Sequence, residues 1–170
     1  MVQRGAAGRR MELTIRPGKA GDEDAILGLL RELAQYEKLT DRFRLTREIL
    51  ARDFFGANPG CCSALAHLGN EPVGIMTWYP TYASFSAMRT IHLEDLYLQP
   101  SRRGKGHGKK MLAWLSKHAI DTGAGAITWF VLDWNKPSID FYDSLRAEPT
   151  EGWLSYRLAG DALEDLADQA

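Results

Sequence analysis

The sequence predicts a single domain that mixes helices and strands, an α/β or α+β fold. Three observations carry that expectation. The chain has 170 residues, 45% of them hydrophobic, enough to bury one substantial core. Segments with an apolar period of two are interspersed with segments of helical period, without the strict alternation of a doubly wound sheet. An apolar run, Ile91 to Leu98, also leads through a glycine-rich turn into the amphipathic stretch Met111-Leu112-Ala113-Trp114-Leu115.

The elements follow in order. Glu12 to Arg16 alternates polar and apolar residues and stops at Pro17, which predicts a first strand. Asp22 to Glu37 carries Ile26, Leu27, Leu29, Leu30, Leu33 and Tyr36 as a helical stripe, with Asp22 or Asp24 to cap or charge its start. Thr46 to Phe55 predicts a shorter helix that starts near Thr46 and Glu48 and stops at Gly56. Cys62–Leu68 and Pro72–Tyr79 read as strands joined by the turn Gly69-Asn70-Glu71. Ile91–Leu98 is the next strand, ended by Pro100, and Lys105–Asp121 is a helix closed by Gly123 and Gly125. Ala126–Leu132 is expected as a strand and Ser138–Leu145 as a short helix started by Pro137. Trp153–Leu158 reads as a final strand and Ala162–Ala167 as a terminal helix. Residues 1–10 are expected to form a flexible extension and 11–170 the single domain.

Composition narrows the function classes. Twenty-one basic against 22 acidic residues give a formal charge of −1, so no global basic field for nucleic acid exists. No apolar run approaches the roughly 20 residues of a membrane span. The only cysteines, Cys61 and Cys62, are adjacent, which offers neither a disulfide framework nor metal-ligand spacing. A reducing cytoplasmic setting is the expectation, without nucleic acid or membrane as partner. His67 and His92 are strand residues without ligand spacing, so no metal is expected. His118 reads as a solvated or packed histidine, and the tryptophans at 78, 114, 129 and 134 read as core.

The turn Arg102-Arg103-Gly104-Lys105-Gly106-His107-Gly108-Lys109-Lys110 carries the chemistry. The first amides of a helix have no partner within it, and the helix dipole favours an anion there. Glycines let a phosphate approach the backbone while flanking cations attract it. Two familiar phosphate loops fail by counting. A Walker loop would need Gly where Lys109 stands, and no Ser or Thr follows Lys110. A dinucleotide fingerprint starting at Gly104 would also need its third glycine at Lys109.

What remains, Arg103-x-x-Gly106-x-Gly108, resembles the pyrophosphate-binding signature of the GNAT superfamily of acetyl-CoA-dependent N-acetyltransferases. The segments Glu32-Leu33-Ala34-Gln35-Tyr36-Glu37, Leu93-Glu94-Asp95-Leu96-Tyr97, Asp133 to Tyr142 and Glu151-Gly152-Trp153 occur in the order of that superfamily's diamine acetyltransferase group. That group contains spermidine/spermine and thialysine acetyltransferases, and the resemblance covers about Leu13 to Leu166. It implies the GNAT fold, a mixed, mostly antiparallel sheet split near the cofactor and flanked by helices. It also implies acetyl-CoA as donor, a small-molecule primary amine as acceptor, and a homodimer.

For the donor, the resemblance implies contacts from Leu96, Tyr97 and Leu98, from Arg103, Gly104, Lys105, Gly106, His107, Gly108 and Lys109, and from Asn135, Ser138 and Tyr142. Glu94 is the candidate base. It lies four residues before Leu98, about 13 Å at strand rise, so an extended donor arm can run back towards it. Only one of Glu94 and Asp95 can face the cleft if the strand is regular. Tyr142 is the candidate general acid, since a phenol keeps its proton at neutral pH and can donate to a leaving thiolate. Tyr36, Glu37, Glu94, Asp95, Glu151 and Trp153 are the candidate amine-binding residues, Trp153 offering an aromatic face. The polyamine-specific members carry an acid in the loop that is here Tyr82-Ala83-Ser84-Phe85, which favours thialysine, lysine-like or short diamine acceptors over long polyamines. The alternatives left open are acetylation of a protein lysine or N-terminus and a non-catalytic acyl-CoA sensor.

Overall fold

The computed structural model describes residues 11–170; the extension expected over 1–10 lies outside the described residues. The chain forms two compact units, one ending at Phe130 and one spanning Val131–Ala170.

In the first unit, β1 (Leu13–Pro17) leads to α1 (Glu23–Tyr36) and α2 (Arg47–Phe55). Next come β2 (Cys62–Leu68), β3 (Glu71–Ala83), β4 (Met88–Leu98), α3 (His107–Asp121) and β5 (Ala126–Thr128). The sheet order is β1-β2-β3-β4-β5. All neighbours are antiparallel except β4 and β5, which run parallel.

The apolar stripe of α1 does what its spacing predicts. Ile26, Leu30 and Leu33 are buried against Leu65, Ile75 and Tyr97 of the sheet, and Leu50 of α2 joins them. Thr46 caps α2, its Oγ1 accepting from the Ile49 amide at 3.3 Å. Asp22 stands at the N-cap of α1 but makes no capping bond. Its carboxylate instead takes Arg16 at 2.6 and 2.8 Å and the Lys19 amide at 2.9 Å. α3 lies on the opposite face, where Trp78 packs edge-on against Trp114 and beside His118. Gly74 makes that approach possible, because a Cβ there would stand 2.9 Å from the Tyr97 carbonyl and 3.1 Å from Met111.

Two features of β4 position the site. Thr77 lies opposite Asp95 and the next residue, Trp78, opposite Leu93. Glu94 is therefore an extra residue without a partner on β3, a β-bulge. On its other edge, β4 meets β5 over three rungs only, the last joining His92 to Thr128. From Leu93 to Leu98 that edge has no strand neighbour among the described residues, so its backbone groups are left to other partners.

In the second unit, α4 (Lys136–Ser144) has Pro137 in its first turn, and α5 (Asp161–Ala167) follows. Two expectations fail. The strand expected over Ala126–Leu132 stops at Thr128, because β5 leaves its partner there. Trp153–Leu158 has strand composition but no ladder, and Trp153, Leu154, Tyr156 and Leu158 face outward. A strand is a pairing, and an alternating segment cannot make one alone. No helix among the described residues is long and apolar enough to cross a membrane.

Candidate active site

The glycine turn folds as an anion cradle. Gly104 and Gly106 have φ of +72° and +78°, in the left-handed region that glycine enters without strain. Gly106 is the N-cap of α3, which is why the helix starts at His107 instead of Lys105, and no side chain caps it. A Cβ built on either glycine meets nothing within 4 Å, so the space over the loop is open. Arg103 is anchored beneath. Its Nε donates to the Leu98 carbonyl at 2.9 Å, and its guanidinium stacks over Tyr36 at 4.6 Å and Tyr97 at 5.7 Å. Lys105 reaches the Ser101 carbonyl at 3.3 Å, and His107 Nδ1 meets the Arg102 carbonyl at 3.1 Å. Tyr97 turns its ring into the core and donates its hydroxyl to Glu32 at 3.0 Å. Burial together with that carboxylate pushes the phenol up to about 12.

The bulge assembles the acids. With one extra residue in the strand, Asp95 returns to the α1 face opposite Thr77 while Glu94 stays half-exposed beside it. Thr77 Oγ1 donates to Asp95 Oδ2 at 2.5 Å. Burial outweighs that bond and, with the Glu94 charge, pushes Asp95 up to about 6. Glu37, just past the end of α1, is raised by burial first and by Asp95 second. Cys61, whose Sγ lies 3.5 Å from the Trp78 carbonyl, is pushed up to about 12 by burial and then by Asp95. Tyr79 is raised by burial and then by Glu94. Three carboxylates thus crowd one face of the sheet, two of them held against ionisation. Such a cluster suits a cation, which would restore both to their charged forms.

The first unit thus brings together a glycine turn open at the head of α3, an unpaired edge on β4 and a bulge that carries acids. The family model described as "Acetyltransferase (GNAT) family" matches residues 24–146. The chain belongs to this family. GNAT acetyltransferases use acetyl-CoA, and the open cradle and unpaired β4 edge leave room for a pyrophosphate and an extended arm. The chain is 38% identical over 164 residues to the thialysine N-epsilon-acetyltransferase of Sus scrofa, covering 90% of this chain and 96% of the relative. It is 36% identical over 163 residues to the human spermidine/spermine N(1)-acetyltransferase-like protein 1, covering 90% of this chain but 23% of that protein. Among solved structures, an integron cassette protein from the mobile metagenome of V. cholerae superposes with a TM-score of 0.78 at 23% identity. That match covers 92% of this chain and 98% of the other.

The second unit holds the remaining predicted residues of this GNAT chain. Asn135 is buried at the start of α4, where its carbonyl accepts from the Ser138 and Ile139 amides at 3.0 and 3.1 Å. Its side chain does not cap the helix. Ser138 lies in the first turn, and Tyr142 in the second, its ring against Phe141. Glu151 and Trp153 stand exposed outside any element. In the first unit the predicted Tyr36, Glu37, Glu94 and Asp95 gather on the α1 side, and Leu96 to Lys109 run from the end of β4 through the glycine turn into α3. Thr77, Tyr79, Cys61 and His92 were missed as members of the acid cluster. The signal for Thr77 and Tyr79 was their two-residue spacing on β3. His92, two before Glu94, lies near it by ordinary strand alternation, and that spacing was the available signal.

Proposed function

We propose that this GNAT protein moves an acetyl group from acetyl-CoA to a primary amine of a small molecule, by direct attack, with thialysine, lysine-like amines or short diamines as the acceptor class. The observation that carries this reading is the Glu37, Glu94 and Asp95 cluster beside the open edge of β4. A lysine-like amine titrates near 10.4, so freeing its lone pair at pH 7 costs roughly 4.6 kcal/mol. Asp95 and Glu37 attract the ammonium, and Glu94, half-exposed on the bulge, takes its proton directly or through water.

Bound acetyl-CoA supplies the thioester. The cradle of Gly104, Gly106 and Gly108 with Arg103, Lys105, His107 and Lys109 would hold its pyrophosphate, and the β4 edge from Leu96 to Leu98 its arm, with Asn135 and Ser138 assisting. Tyr142 is the proposed proton donor to the departing thiolate. The Tyr82–Phe85 segment, from the end of β3 into the turn that follows, carries no acid, which supports short acceptors over long polyamines. The outward Trp153, Leu154, Tyr156 and Leu158 support a homodimer that covers them, and light scattering should read twice the 19.0 kDa chain mass. A cytoplasmic setting, where acetyl-CoA is available, belongs to the same reading.

The test is thiol release from acetyl-CoA with thialysine, lysine, putrescine, spermidine and an aminoglycoside. Thialysine or lysine is expected to turn over fastest. Preference for spermidine would overturn the reading of the Tyr82–Phe85 segment, and activity on a peptide lysine alone would overturn the small-molecule reading.

A further inference from the structure

We propose that His92 is the proton-holding partner of Glu94, an inference that rests on the amine acetylation proposed above. His92 is 9% exposed and occupies the last rung between β4 and β5. Its Nδ1 lies 3.1 Å from Thr128 Oγ1 across that rung, and its Nε2 lies 3.9 Å from Glu94 Oε2. The ring is fixed between Tyr79, at 5.2 Å, and Phe130, at 5.1 Å. Both nitrogens therefore face oxygens that can accept, an arrangement suited to holding an imidazolium.

The need follows from Glu94 itself. A carboxylate is a weak base for an ammonium, and an imidazole set beside it offers the proton a second resting place. In the proposed step, one N–H proton of the substrate ammonium passes to Glu94 Oε2, directly or through a water. The proton then moves from Oε2 to His92 Nε2, which leaves Glu94 ionised and His92 cationic, with Nδ1–H donating to Thr128 Oγ1. After the amide has formed, the same proton returns past Glu94 to water. The titratable groups facing His92 are Glu94 on its own strand and Tyr79 on β3, which in turn face Asp95 and Cys61. Thr128 and Phe130 bring no charge. His92 acts through Glu94, so it is a positioning and proton-storing residue.

The experiment compares kcat/KM for the amine against pH in wild type and His92→Gln. The variant should lose about 10- to 100-fold near pH 7 with the acetyl-CoA KM unchanged. The deficit should shrink as the pH approaches that of the free amine. His92→Ala should regain activity on adding imidazole, in proportion to its neutral fraction. In histidine-labelled protein, the 15N signal of His92 Nε2 should move on Glu94→Gln, and that of Nδ1 on Thr128→Val. An unchanged profile in His92→Gln overturns the inference, as does a pH-independent loss without imidazole rescue. If wild type acetylates no amine at all, the amine reading fails and this one with it. An active wild type indifferent to His92 sinks this inference alone.

Discussion

Replacing Asp95 by Asn should make the protein more stable, and only at neutral and alkaline pH. In the folded chain Asp95 is pushed up to about 6, by lost hydration first and by the Glu94 charge. An unfolded aspartate titrates near 3.9. The folded state thus binds this proton more tightly, and wild-type stability falls as pH rises from about 4 to about 6. Two units at 1.36 kcal/mol each put the cost of ionising Asp95 in place at about 3 kcal/mol above pH 6. Below about pH 3 the side chain is neutral in both states and the cost is gone. Asparagine keeps an oxygen to accept from Thr77 Oγ1 and carries no charge. At pH 8 the variant should therefore melt about 6–12 °C above wild type for a chain of this size. At pH 3 the two should coincide. Thermal unfolding followed by circular dichroism across that range is the assay. A difference that stays constant with pH, or a variant less stable than wild type at pH 8, would refute the account. The same cost measures what an ammonium in the site can recover, so the amine substrate should raise the melting point of wild type more than that of Asp95→Asn.

Three further outcomes follow. Gly106→Ala and Gly123→Ala both force a side chain to a φ near +78° where nothing stands within 4 Å, so each should cost about 1–2 kcal/mol in urea unfolding; only Gly106→Ala should raise the acetyl-CoA KM, and equal effects on KM would remove Gly106 from the cradle. Glu94→Gln and Tyr142→Phe should each lower kcat by about 100-fold or more while calorimetry shows acetyl-CoA still bound; full activity of both at saturating amine would refute their roles. With Cys61 pushed up to about 12, only about one thiol in ten thousand is ionised at pH 8, so iodoacetamide should label the exposed Cys62 first; peptide mass spectrometry showing faster modification of Cys61 would contradict its buried, acid-flanked setting.

Much of this was legible in the residues. The stripe of α1, the Thr46 cap and the cradle between β4 and α3 depend on neighbours a few positions apart, which spacing reports directly. The bulge at Glu94 was not legible, because it is a mismatch between two strands and neither sequence records it. The regular-strand rule therefore allowed only one of Glu94 and Asp95 into the site. His92 was set aside as a strand residue without ligand spacing; its partners Tyr79 and Thr128 come from other strands, which its own segment does not name. Asp22 shows the converse: its local capping signal was overridden by Arg16, six residues back. At Trp153–Leu158 the composition was right for a strand, but pairing needs a second chain segment that composition cannot name.

The bulge also means that the sheet does not need Glu94. Remove that one residue and Thr77 and Trp78 still stand opposite Asp95 and Leu93, now consecutive, with every side chain beyond on its present face. Minus one codon, β4 is a complete and regular strand. The fold and the proposed base are thus separable in heredity as well as in structure: a single in-frame insertion adds the carboxylate, and a single deletion would return a chain that folds without it.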